Sequence, residues 1–164
     1  MTILRKPDWA FVCSHPAHFL AFGFGSGLAA KAPGTWGTLV ALPLYALLLA
    51  LGLGSMQIAW LCLPLFLVGI PICGLTGRAL GVSDYGGIVW DEIVAMLLVL
   101  AFAPATPAGW LLAFVLFRLF DIVKPWPIRW FDRRIHGGFG VMADDLIAAL
   151  FAMLVQAMAW QFLL

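Results

Sequence analysis

Residues 32–77 read APGTWGTLVALPLYALLLALGLGSMQIAWLCLPLFLVGIPICGLTG, 46 positions without one charged side chain. A bilayer's hydrocarbon core is matched by about 20 apolar helical residues, so this run holds two crossings with a turn between them. Gly52-Leu53-Gly54-Ser55 supplies the turn. Outward from it, Ile93 to Phe117 is again uncharged and is broken by Pro104-Ala105-Thr106-Pro107-Ala108-Gly109, a second tight hairpin, and Leu146 to Leu164 is a last apolar run. Spans are expected near 36–52, 56–76, 89–104, 109–123 and 144–163. The fold class is therefore all-α, a polytopic membrane helical bundle of four to five spans. Phe19 to Ala30 is apolar but interrupted by Gly23, Gly25 and Gly27, so it is expected to be re-entrant or interfacial. Residues 1–164 are read as one integral membrane domain.

The composition of the whole chain agrees. Of 164 residues, 64% are hydrophobic and 10% charged, against about 25% charged in a soluble domain, too few to cover a water-facing surface. Nine Lys and Arg against eight Asp and Glu give a net charge of +1, with no basic excess for nucleic acid. Cys13, Cys62 and Cys73 read as small core residues, not a disulfide frame. His15 and His18 lack further ligands at zinc spacing beside Cys13 and read as interfacial side chains. No protein partner can be inferred.

Charge is concentrated where a membrane chain normally avoids it. Between Arg118 and Asp145 lie nine of the seventeen charges. Both hairpins are uncharged, whereas Arg5, Lys6, Lys31, Arg78 and the basic residues of 118–134 fall on the other side, which the positive-inside rule makes cytoplasmic. That rule needs no acids, yet six accompany the positives. Asp91-Glu92 is expected to open one apolar helix and Asp144-Asp145 another, while Asp121 ends a third on the same face as Arg118. A helix dipole would account for one acid per helix, not two.

Hard oxygen donors from three helices, without a His-Cys cluster, suit Mg2+ before zinc. Glu92, Asp121, Asp144 and Asp145 are the first candidates for ligands, followed by Asp91 and Asp132. Lys31-Ala-Pro-Gly-Thr35-Trp-Gly-Thr38 sets an ammonium, two hydroxyls and two glycines before a helix, a turn able to face an anion. Arg118, Lys124, Arg129, Arg133, Arg134 and His136 add donors suited to phosphate. Pro125-Trp126-Pro127 and Trp130 read as anchors at headgroup height. The sum is a metal and phosphate site at the cytoplasmic surface acting on a phospholipid.

Several phosphate chemistries are missing from the sequence. It has no Asp-x-Asp nucleophile, no Gly-Lys-Ser/Thr loop and no Pro-Ser-Gly-His segment, and Cys73 and Arg78 are separated by four residues, one short of a cysteine phosphatase loop. Gly23-x-Gly25 is followed by Leu28, which breaks the dinucleotide pattern.

The segments Gly23-Phe-Gly-Ser-Gly-Leu28, Ala32-Pro-Gly-Thr-Trp-Gly-Thr38, Val89-Trp-Asp-Glu-Ile93, Phe117-Arg-Leu-Phe-Asp-Ile-Val-Lys-Pro-Trp-Pro-Ile-Arg-Trp-Phe-Asp132, His136-Gly-Gly-Phe-Gly140 and Met142-Ala-Asp-Asp145 resemble the phosphatidylglycerophosphatase A family. Ala29-Ala30 and Ala95 depart from its pattern, whereas the charged residues match. The resemblance implies a multi-pass enzyme of the bacterial inner membrane. It also implies a Mg2+-dependent hydrolase that converts phosphatidylglycerophosphate to phosphatidylglycerol. Glu92, Asp121, Asp144, Asp145 and Asp91 would hold the metal, and Lys31, Thr35, Lys124, Arg129 and Arg133 the phosphate. His136 or Asp132 would act as acid or base. The attacking group is either water or a carboxylate. Two other classes remain open: a small transporter or channel, expected to show helices broken at the midplane, and a structural membrane protein whose charges only set topology.

Overall fold

The structure, a computed structural model, describes residues 7–82 and 84–163. Arg5 and Lys6, two of the positives that set the expected orientation, lie outside the described residues. The helices are α1 (Trp9–Cys13), α2 (Pro16–Ala21), α3 (Pro33–Ala50), α4 (Ser55–Leu80), α5 (Trp90–Ala101), α6 (Pro107–Val123), α7 (Ile128–Arg134) and α8 (Gly137–Leu163), with a 3-10 turn at Gly23–Leu28. No strand occurs among the described residues.

Local chemistry sets the ends of these helices. Pro33 and Pro107 occupy first-turn positions, where the missing N–H costs nothing. The Thr106 hydroxyl accepts from Gly109 N at 3.1 Å, and the Gln57 side chain accepts from Gly54 N at 2.7 Å. Gly81 closes α4 in the left-handed conformation. Three helices, Pro33–Ala50, Ser55–Leu80 and Gly137–Gln161 within α8, are long and apolar enough to cross a membrane. The chain is therefore a membrane-associated helical protein.

The two expected hairpins meet at one end of the bundle. There Tyr45 lies 3.0 Å from the Ser55 hydroxyl and packs edge-on against Trp110, and Gln156 donates to the Phe102 carbonyl at 3.1 Å. The charged segments collect at the opposite end.

Helix α5 is the hub, packed by α3, α4, α6 and α8 and buried at most positions. Its 12 residues reach only about 18 Å, short of the roughly 30 Å of a hydrocarbon core. The expected span over 89–104 is thus a half-length helix whose N-terminus lies inside the bundle. The missing half is filled by residues 84–89 and the N-terminal segment: Val89 N donates to Ala21 O at 2.8 Å, and Gly27 abuts the Gly87 backbone. Non-helical backbone at such depth is tolerated because protein covers it.

Three expectations are corrected. Helix α8 begins at Gly137, so Asp144 and Asp145 sit two turns inside it and do not open it. Gly138 makes this possible by lying directly against the Ile70 carbonyl of α4, an approach that any Cβ would block. His18 is not interfacial: it is buried, stacked on Phe11 at 4.4 Å, with Nδ1 2.9 Å from the Thr76 hydroxyl. Its pairing with Thr76 fastens α2 to α4. Cys13 is exposed, whereas Cys62 and Cys73 are buried as expected.

Candidate active site

The first turn of α5 and the third turn of α8 bring Asp91, Glu92 and Asp145 together. One carboxylate oxygen from each lies within 4.8 Å of the others. Asp91 Oδ1, Glu92 Oε2 and Asp145 Oδ2 are buried and have no hydrogen-bond partner. Because the acids lie below the first turn of α8 and at the sunken start of α5, the cluster sits within the bundle and not at its rim.

Arg118, one helix over on α6, borders this cluster. Its Nη1 is 2.5 Å from Asp121 Oδ2, 3.8 Å from Glu92 Oε1 and 3.3 Å from the Thr38 hydroxyl. The spacing of three residues lets Arg118 and Asp121 pair along the helix face, as the sequence predicts. Thr38, fully buried, donates to Gly34 O at 2.8 Å, which leaves its oxygen to receive the guanidinium. Gly34 itself is packed against Glu92 Oε1 and the Arg118 guanidinium. Glycine in the Pro-Gly-Thr turn therefore makes room for site side chains. The Thr35 amide is bonded to Ala32 O at 3.0 Å, so it is not aimed at an anion.

A second charged group stands beside the first. Lys124, at the C-terminal end of α6 in the left-handed conformation, reaches Asp132 of α7 at 2.6 Å and Asp144 of α8 at 2.5 Å. Burial pulls the Lys124 ammonium down, but the two hydrogen bonds outweigh it and hold the group above the ordinary lysine range. Asp132 and Asp144 also line a polar pocket of about 220 Å³ with Asp84 and His136. Although Asp84 reaches solvent, its surroundings strip enough water to raise its carboxyl above the usual range. Lys124 opposes that shift, while Asp132 and Asp121 add to it.

The predicted residues thus divide among several places. Asp91, Glu92 and Asp145 share one cluster, Asp121 adjoins it through Arg118, and Asp144 and Asp132 are tied to Lys124. Arg129 and Arg133 line a separate surface pocket of about 510 Å³ with Trp126 and Trp130. Lys31 and His136 are exposed, and Thr35 is half-buried. Sequence reasoning read Arg118 as one phosphate donor among several and Thr38 only as a hydroxyl of the turn, and it missed Asp84. A lone acid in the Gly81–Gly87 connection was the available signal for Asp84.

Four carboxylates, Asp91, Glu92, Asp121 and Asp145, gather in a poorly hydrated space where the Arg118 guanidinium pairs with two of them, Glu92 and Asp121. Buried ions cost several kcal/mol each unless compensated. Orphaned oxygens from three acids together with this charge imbalance fit a hard divalent cation. Replacing Gly34 tests the packing directly. Gly34→Ala is expected to lower phosphate release at least about tenfold, since small misplacements in a catalytic site carry such costs, while membrane insertion is unchanged. Wild-type turnover would show that the close approach is irrelevant.

Fold and site together define a helical membrane protein with a carboxylate chamber, suited to a cation, inside one end of its bundle. The model of the family described as phosphatidylglycerophosphatase A matches residues 19–160. A phosphatidylglycerophosphatase A of Haemophilus influenzae is 49% identical over 142 residues, covering 86% of this chain and 86% of that protein. One of Escherichia coli is 45% identical over 156 residues, covering 92% and 89% respectively. No solved structure matches the chain. The chain belongs to the phosphatidylglycerophosphatase A family and is a phosphatase, a phosphoric monoester hydrolase.

Proposed function

We propose that the protein hydrolyses the terminal phosphomonoester of phosphatidylglycerophosphate to phosphatidylglycerol and phosphate, using Mg2+ held by Asp91, Glu92 and Asp145. Family membership supports the reaction, and the three-carboxylate cluster with its orphaned oxygens is the observation that carries the site. When bound, the cation would offset phosphoryl charge that develops during displacement.

The chain's own residues then take distinct tasks. Arg118 holds Asp121 and steadies Glu92 while presenting positive charge to the phosphoryl group. Lys124 fixes Asp144 and Asp132 in place, so the neighbouring Asp145 is presented toward α5. The polar pocket with Asp84, Asp132 and His136 reaches Asp144, the chain neighbour of Asp145, and in this reading it would admit water toward the chamber. His136 there would give a proton to the departing glycerol oxygen, while Asp132, which accepts from Lys124 Nζ, would serve as a base. Arg129 and Arg133, flanked by exposed Trp126 and Trp130, meet lipid headgroups at the rim. Lys31 and Thr35 belong to the same phosphate-facing end, farther out.

In this reading α3, α4, α6 and α8 cross a bacterial inner membrane, α5 half-crosses it, and the charged end faces the cytoplasm, as the Lys and Arg distribution favours. A helix starting inside the bundle is also a feature of transporters. Membership of a phosphatase family weighs against that class here.

Purified protein given phosphatidylglycerophosphate should release inorganic phosphate with Mg2+ present. Release should fall to background in chelator and return on adding the metal. Undiminished release in chelator would remove the cation from the reading, and no release in any condition would remove the substrate.

A further inference from the structure

A groove between α4, α5 and α8 shares Asp91 with the carboxylate cluster and is otherwise unused by the chemistry above. It encloses about 340 Å³, within the roughly 300–1,000 Å³ of small-molecule sites. Ala59 and Leu63 of α4, Ala95 and Leu98 of α5 and Leu146 of α8 contribute its apolar lining, and Asp91 is its one charged residue. Asp91 to Leu98 is seven residues along α5, so the groove descends about 10 Å from the carboxylate cluster toward the uncharged end. Its flank is open sideways, since Leu63 is 54% and Leu67 56% exposed. Small side chains at Ala59, Cys62 and Ala95 make the surface concave.

We propose that this groove holds one acyl chain of the phospholipid substrate, with the lipid's polar end at the Asp91-Glu92-Asp145 cluster. The proposal rests on the lipid-phosphatase reading. A ligand here must be apolar along its length and polar at one end, because Asp91, with a buried Oδ1 that lacks a partner, caps an otherwise apolar channel. A lipid in the leaflet at the charged end directs its tails in this same sense.

The test fills the groove. Ala59→Phe enters from α4, where the residue is half-buried, and Ala95→Leu enters from the hub helix, where it is buried. Both are compared with the wild type on dioleoyl phosphatidylglycerophosphate and on its deacylated headgroup. The expected result is a fall of at least about tenfold in kcat/KM for the lipid, through KM, with the headgroup unaffected; one misplaced methylene group commonly has this effect. Parallel losses on both substrates, or none on either, would overturn the proposal. A lipid with a photoactivatable group in mid-chain supplies a readout that needs no turnover. Label should concentrate on peptides containing Leu63 and Leu98. Label spread evenly over all lipid-facing helices would mean bulk lipid only and would sink the groove. A wild type that releases no phosphate from the lipid overturns the activity instead, and the label still decides the groove.

Discussion

Asp145→Asn and Glu92→Gln should each lower phosphate release by at least about 10²–10³-fold, the scale of removing one preorganised electrostatic group from a reaction site. Their effect on stability should run the other way. Without divalent metal, the wild type keeps Asp91, Glu92 and Asp145 close together with little water and orphaned oxygens. Removing one charge relieves that repulsion, so the metal-free melting temperature of either variant should rise. Added Mg2+ should stabilise the wild type by RT ln(1 + [Mg]/Kd), about 2.7 kcal/mol at a hundredfold excess over Kd. The same addition should barely move the variants. Thermal unfolding in detergent, with chelator and with metal, separates these two signs. A variant destabilised in chelator yet still stabilised by Mg2+ would show that the three acids only pack the bundle and that the ion binds elsewhere.

The fold was legible where bulk hydrophobicity decides it. The uncharged run 32–77 places α3 and α4 and their turn, and Pro104 to Gly109 places the second hairpin, because lipid imposes length and apolarity on whatever crosses it. Helix α5 escaped that logic. Residues 89–104 look like a span because they are buried on every side, and burial in protein selects the same side chains as burial in lipid. Only tertiary packing against residues 84–89 and the 3-10 turn reveals that the helix is half-length. The same blindness moved the start of α8. His136-Gly137-Gly138 looks like a loop, since glycines mark turns, yet Gly138 is there to let the helix slide against Ile70 of α4.

At the site, residue types were legible and pairings were not. The density of acids in a chain that avoids charge pointed to Asp91, Glu92, Asp121, Asp144 and Asp145. Which of them share an oxygen cluster depends on helix rotation. Adjacent Asp144 and Asp145 point about 100° apart on α8, so one meets Lys124 and the other meets α5. Thr38 rather than Thr35 meets Arg118 for a different reason: one turn further along nearly the same face of α3, Thr38 is fully buried, whereas Thr35 is half-buried. The phosphate residues expected from charge alone, Arg129 and Arg133, lie on α7 at the rim. A charge count has no depth coordinate, and among the described basic residues only Arg118 and Lys124 reach the interior.

Lys124 is where stability and activity should come apart. It neutralises Asp144, a buried carboxylate, and Asp132 at 2.5 and 2.6 Å. Lys124→Met keeps the stem and removes the charge, stranding Asp144 beside Asp145 with Asp144 Oδ1 already unpartnered. Breaking a buried pair from one side costs about 3–5 kcal/mol, so the single variant should melt well below the wild type. Lys124→Met combined with Asp144→Asn removes both charges and should recover most of that loss, since deleting a whole buried pair is often close to neutral. Phosphate release should stay low in both, because neither restores the positive charge and the fixed carboxylates at the mouth of the chamber. Melting midpoints and release rates measured on the same preparations make the comparison. If the double variant is as unstable as the single, the Lys124–Asp144 contact is not the electrostatic tie that positions the third turn of α8. If the double variant recovers wild-type turnover, Lys124 serves the fold and not the reaction.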